Sequence, residues 1–190
     1  MPKSLVTLSA IAVQLLLACA IPGAAAQTTP HPGGYAGQQT RAIKSLSDRD
    51  VDDLLAGRGA GFAKAAELNG YPGPAHVLEL KEPLELSEAQ IAASQALMAR
   101  HRAAAQRLGK EVVASERALD RAFASRRADE GSVRTLTATV ARYQGELRAE
   151  HLETHLAQTA LLTPAQVQRY AELRGYASLE VDPRRGDHRH

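Results

Sequence analysis

Apolar residues return every three or four positions over most of this chain, so the pattern predicts helices rather than strands. The longest run starts after Ser87 and continues to about Ala128 with no proline and with Gly109 as its only glycine. Within it Ile91, Ser94, Met98, His101, Ala105, Leu108, Val112, Ser115, Leu119 and Ala122 keep the heptad rhythm of a helix packed lengthwise on another. Asp129, Glu130, Gly131 and Ser132 then predict a tight connection with Ser132 as the helix cap. Val133, Leu136, Val140, Tyr143, Leu147, His151 and Thr154 carry the seam back. The expected fold class is all-α: a long antiparallel helical hairpin over 87–160, with short N-terminal helices and a C-terminal helix.

Helix starts are marked by one device. Leu86-Ser87-Glu88-Ala89-Gln90 and Leu162-Thr163-Pro164-Ala165-Gln166 each place a hydroxyl where it can accept from a free first-turn amide, and a glutamine that can reach back to the cap. Leu86 and Leu162 are positioned to staple the chain's entry, and Pro164 sits at the first helical position, where it loses no hydrogen bond. Leu46, Ser47 and Asp50 start a shorter helix the same way, running to about Ala56 before Gly57, Gly59 and Gly61 interrupt it. A second short helix is expected from about Ala60 to Leu68, closed by Asn69-Gly70, with a turn at Tyr71-Pro72-Gly73-Pro74. Leu152 and Leu156 point away from the seam and form a second apolar stripe, which needs another partner. A bare two-helix hairpin buries too little surface to stand alone, so a homodimer is expected.

Composition adds compartment and excludes some chemistry. Residues 1–26 carry Lys3, an apolar run and Ala24-Ala25-Ala26, which reads as a secretory signal peptide; the run is too short to span a bilayer. Cys19, the one cysteine, lies inside this leader, so cleavage after Ala26 leaves a mature chain with no thiol and no disulfide; the rival reading takes Leu16-Leu17-Ala18-Cys19 as a lipoprotein cleavage box with Cys19 lipidated. Residues 27–45 read as a flexible tether, 46–176 as the helical domain and 177–190 as a disordered tail ending His188-Arg189-His190. Lys and Arg number 23 against 21 Asp and Glu, mixed throughout, which gives no support for nucleic-acid binding. Aromatic residues make up 4% and Trp is absent, a balance that suits long helices with thin contacts.

The candidate chemistry lies in His151-Leu152-Glu153-Thr154-His155. Two histidines one helical turn apart can chelate a divalent ion such as zinc, whereas the zinc-protease pattern needs its glutamate directly after the first histidine. A turn centred near Glu130 brings His101 opposite Thr159, one turn from the level of His155 and two from His151, so His101 is the candidate third ligand, with Glu150 nearby. No Ser-x-Gly elbow, phosphate loop or Cys-His pair nominates a catalytic residue.

The two capped pentads, bracketing a long helical hairpin behind a signal peptide, resemble the Spy/CpxP family of periplasmic proteins, marked by a repeated Leu-Thr-x-x-Gln. They are also similar to the related heavy-metal-resistance proteins of the zinc-resistance-associated and CnrX type. The resemblance covers roughly Leu78 to Tyr176 and rests on Leu86, Ser87, Gln90, Leu162, Thr163 and Gln166; the first copy departs from the pattern with Ser87 in place of Thr, and 41–77 lies outside it. It implies a cradle-like dimer in the periplasm, without catalysis. Such a protein would bind unfolded or envelope-stress clients without ATP, or bind metal and report it to a signalling partner. A client cradle would use Leu152 and Leu156 with the faces carrying Arg100, Arg102, Arg107, Arg117, Arg121, Arg126 and Arg127. A metal sensor would use His151 and His155.

Overall fold

Four hydroxyl or carboxylate side chains mark where four of the helices begin. In the computed structural model, which describes residues 34–176, Ser47, Ser87, Asp129 and Thr163 each accept from the amide three residues on, and that residue's side chain accepts in return from the cap's backbone amide. Each such box satisfies end groups that a helix leaves unpaired and is worth about 1 kcal/mol. The six helices found among the described residues are α1 (Asp48–Ala56), α2 (Lys64–Glu67), α3 (Pro74–Glu79), α4 (Glu88–Ala124), α5 (Glu130–Ala160) and α6 (Pro164–Leu173). No strand occurs among those residues, and none of the helices is long and apolar enough to cross a membrane. The leader with Cys19, the tether up to residue 33 and the tail with His188 and His190 lie outside the described residues.

The differences from expectation are local. Ser132 is not a cap: Asp129 is, and Ser132 is the third helical residue, because a carboxylate accepts from the free amide more strongly than a hydroxyl does. α4 stops at Ala124, short of Ala128, and Ser125 returns its amide and hydroxyl to the Arg121 carbonyl. The expected helix over 60–68 shrinks to Lys64–Glu67, since Gly61 and also Ala60 take left-handed backbone angles that break the approach to it. Order also begins before residue 46: Ile43, placed in the tether by the sequence, is 2% exposed in the core.

α4 and α5 pack along each other, with contacts in opposite order along the two helices: Glu116 with Gln144, His101 with Thr154, Ser94 with Gln158, and Gln90 with the Leu161 carbonyl just beyond α5. This register lies more than a turn from the one the sequence suggested, so His101 meets Thr154 and His151 rather than Thr159. The seam residues Ser94, Ala105, Leu108 and Val112 are buried as expected. Gly109 and Val113, on the next face, are buried too, because α1 lies across them. A Cβ on Gly109 would overlap the Leu54 carbonyl, so this glycine is what lets the two backbones meet.

Two apolar clusters follow from this packing. One joins Ile43, Leu54, Ala105, Leu108, Val112, Val113 and Leu147. The other joins Val77, Leu84 and Tyr170, with Leu86 and Leu162 against it, so the two pentad leucines close the end of the unit that runs from Gly37 onwards. Above them the pentad glutamines meet. Gln90 donates to the Leu161 carbonyl at 2.9 Å and to Gln166 Oε1 at 2.8 Å, while Gln166 donates to the Leu84 carbonyl at 3.1 Å. Each glutamine thus caps its own helix and ties down the segment that leads into the other.

Candidate functional site: a histidine-lined cavity

Between the two clusters lies a cavity of about 520 Å³ whose walls are the glycine-rich segment after α1, α2, the start of α3 and the facing sides of α4 and α5. His76, His101, His151 and His155 all line it, together with Glu67, Lys64 and Met98. Sequence reasoning selected three of these histidines. Much of their surroundings comes from the glycine-interrupted stretch and the short helix expected over 60–68, and from the turn at 71–74.

His151 is 3% exposed. Its ring stacks on Phe62 at 5.7 Å between centroids and meets the His101 ring edge-on at 4.6 Å. Nε2 of His151 is buried and has no hydrogen-bond partner. Burial, reinforced by the neighbouring His101 and His155, lowers the imidazole's pKa to about 4, so the ring is neutral at ordinary pH. A neutral imidazole with a bare buried nitrogen is an unusual arrangement, because such atoms normally find a partner.

The two flanking histidines are held by the opposite nitrogen. Nδ1 of His155 lies 2.7 Å from the Tyr71 carbonyl, which can only accept, so Nδ1 carries the proton and Nε2 carries the lone pair. Glu67 Oε2 is 3.6 Å from the same Nδ1, too far to compete for that proton. A Cβ on Gly73 would come within 2.7 Å of His155 Nε2, so a glycine is what lets the backbone pass this close to that side of the ring. Nδ1 of His101 sits 3.0 Å from Thr154 Oγ1 and 3.2 Å from Glu150 Oε1; donation to the carboxylate again leaves the lone pair on Nε2. Glu150 therefore orients His101 and is not itself among the residues lining the cavity. Protonated Nδ1 on a carbonyl or carboxylate is the arrangement that makes the far nitrogen a good metal donor.

His151 and His155, one turn apart on α5, consequently have different settings. His151 turns into the interior against Phe62, and His155 turns towards the loop at Tyr71. Among the described residues no three His, Cys, Asp or Glu side chains already stand as a finished metal-ligand group. Glu67 is the remaining charged group of note. Its Oε1 accepts from the Tyr170 hydroxyl and lies 3.8 Å from Arg174 Nε, while Oε2 is buried without a hydrogen bond. Of the four orphaned buried atoms among the described residues, on Glu67, His151, Gln158 and Arg174, the first two belong to residues that line the cavity.

Phe62, Glu67, Tyr71 and Gly73 complete this site, and sequence periodicity did not single them out. The available signal was the cluster of Gly57, Gly59 and Gly61 directly before an aromatic residue, which allows backbone to lie close over a side chain. Leu152 is half-buried, and Leu156 is 54% exposed beside it.

Compared with protein-family models, curated proteins and solved structures, the chain matches none. What the cavity can do must follow from its own atoms.

Proposed function

We propose that this chain is a non-enzymatic, exported binding protein that takes up a divalent transition metal such as zinc in the histidine cavity. The observation that carries the reading is the buried, neutral, unpartnered Nε2 of His151. His101 and His155 supply the accompanying donors, since both have Nδ1 engaged and Nε2 bearing the lone pair. Imidazole nitrogen suits zinc, copper, nickel and cobalt, and a bound ion there supplies positive charge and fixed geometry. The three rings must draw together around it, since no three ligand side chains stand as a finished group among the described residues. Hydrolysis is not part of the reading: no serine or cysteine nucleophile accompanies the histidines in the cavity lining.

On this reading the protein acts as the metal-binding branch of the Spy/CpxP resemblance implies, as a periplasmic sensor or resistance protein with a signalling partner. The paired glutamine clasp supports the resemblance itself, because it gives the two pentads one joint purpose, and the histidine cavity favours the metal-binding branch. α4 and α5 are then the arms of a helical hairpin, and a second copy completes a cradle.

The test is calorimetric titration of zinc, copper, nickel and cobalt into protein whose tail residues His188 and His190 are replaced by Ala. One ion per chain should bind, and His151→Ala should weaken it by at least ~100-fold. Equal binding by both proteins would end the metal reading.

A second reading, client binding, is favoured by the exposed apolar side chains of Leu156, Leu68 and Tyr71; the Tyr71 backbone joins α5 at His155. If the protein is a chaperone, a twofold excess should suppress the light scattering of an unfolding client, and Leu156→Asp should remove that protection. Unchanged scattering with the wild-type protein would exclude it.

A further inference from the structure

The end of α4 carries a feature that neither the cavity nor the clasp uses. The helix closes with the Arg126 amide on the Phe123 carbonyl and the Arg127 amide on the Ala122 carbonyl, both at 3.0 Å, which is the Schellman closure. That closure needs a left-handed residue, and here it is Arg126, at φ 55, where glycine would sit without strain. The apolar residue that usually completes the motif is replaced by Arg127. Phe123, in the last turn, is 58% exposed.

The charges around this end are one-sided. Arg117, Arg121, Arg126 and Arg127 are exposed, and none has a carboxylate partner among the described residues. The nearby acids are already engaged: Asp120 by Lys44, Glu130 by Arg134, and Asp129 by the Ser132 amide it caps. Cations do favour a helix C-terminus, but that attraction explains neither a strained arginine nor an exposed ring.

We propose that this tip is a docking surface for an anionic phospholipid bilayer, with Phe123 entering the interfacial layer and Arg121, Arg126 and Arg127 pairing with lipid phosphates. An aromatic ring flanked by guanidinium groups matches the boundary where apolar chains meet phosphate. Charge complementarity selects this occupant, because the tip offers donors and no acceptor side chain that is not already in use. The proposal is independent of what fills the histidine cavity.

The experiment is co-sedimentation of the chain from Gln27, which keeps the whole unit from Gly37 on, with vesicles of equal parts phosphatidylglycerol and phosphatidylcholine or of phosphatidylcholine alone. Binding should be confined to the anionic vesicles and lost in about 1 M salt. Arg126→Gly should weaken it about fivefold, and Arg126→Gly with Arg127→Ser about 25-fold, from the attraction expected of each basic residue near such a surface. Arg126→Gly should also melt no lower than wild type, since glycine relieves the left-handed backbone; lost binding would then not be lost folding. Phe123→Ser should weaken binding with no change in salt dependence. Equal binding to neutral vesicles, or wild-type binding by the arginine variants, overturns the proposal. So does loss of client protection with vesicle binding intact, which would assign the tip to an unfolded polypeptide.

Discussion

The glutamine clasp, where α4 and α6 begin, and the histidine cavity, walled in part by α4 and α5, are both polar sites, and they treat their polar atoms in opposite ways. At the clasp, Gln90 and Gln166 spend their amides on each other, on two backbone carbonyls and on their own helix caps. At the cavity, a wholly buried ring nitrogen of His151 and a carboxylate oxygen of Glu67 go without a partner. The first arrangement is what a fold needs. A saturated polar group stabilises, whereas a bare buried one costs about 1–3 kcal/mol unless something outside the chain completes it. That contrast, more than the presence of histidines, separates the structural motif from the candidate site.

The contrast breaks most severely where α1 is held. Gly109→Ala should cost roughly 3 kcal/mol in urea unfolding, because the added methyl meets the Leu54 backbone and lifts α1, whose end forms a cavity wall. Metal uptake should fall with it. A loss under 1 kcal/mol would mean that the close approach is not required.

Acid should come next. His151 has its pKa lowered to about 4 from 6.5 by burial, so between these values the unfolded chain binds more protons than the folded one. Stability is then full above pH 6.5 and declines as pH falls, by about 3 kcal/mol at pH 4 from this group. Thermal melts of wild type and His151→Leu across that range should diverge, and parallel curves would show that His151 is not buried neutral.

Smaller and opposite effects sharpen the comparison directly. Gln90→Ala strips the Leu161 carbonyl, the Ser87 amide and Gln166 of a partner and should destabilise by about 2 kcal/mol. Adding Gln166→Ala should cost less than the sum of the two, since they share one bond pair. His151→Leu removes an orphan atom and should leave the protein as stable or about 1 kcal/mol more so, while ending metal binding. If His151→Leu proves as damaging as Gln90→Ala, the cavity is part of the scaffold.

Much of this scaffold was legible in the chain. Helix starts at Ser47, Ser87 and Thr163 follow from local hydrogen bonding that depends on three or four adjacent residues, and the seam of α4 follows from its period. What was not legible depended on register. A few residues' difference in where α4 ends moved His101 by more than a turn along α5, from Thr159 to Thr154. The burial of Gly109 required knowing that α1 crosses α4, a long-range contact that leaves no periodic trace in either segment. For the same reason His151 and His155 looked alike in sequence and differ in the fold: Phe62 and Tyr71, which separate their roles, come from the irregular chain between α1 and α3.

The most direct measurement is nitrogen-15 NMR of the imidazole rings during addition of one equivalent of zinc. Before zinc, His155 and His101 should carry their proton on Nδ1, and His151 should remain neutral at pH 6. With zinc, the Nε2 resonances of His151, His101 and His155 should shift together and saturate at one ion per chain, with Nδ1 of His101 and His155 still protonated. Unchanged Nε2 signals, or a shift confined to His188 and His190, would contradict the account.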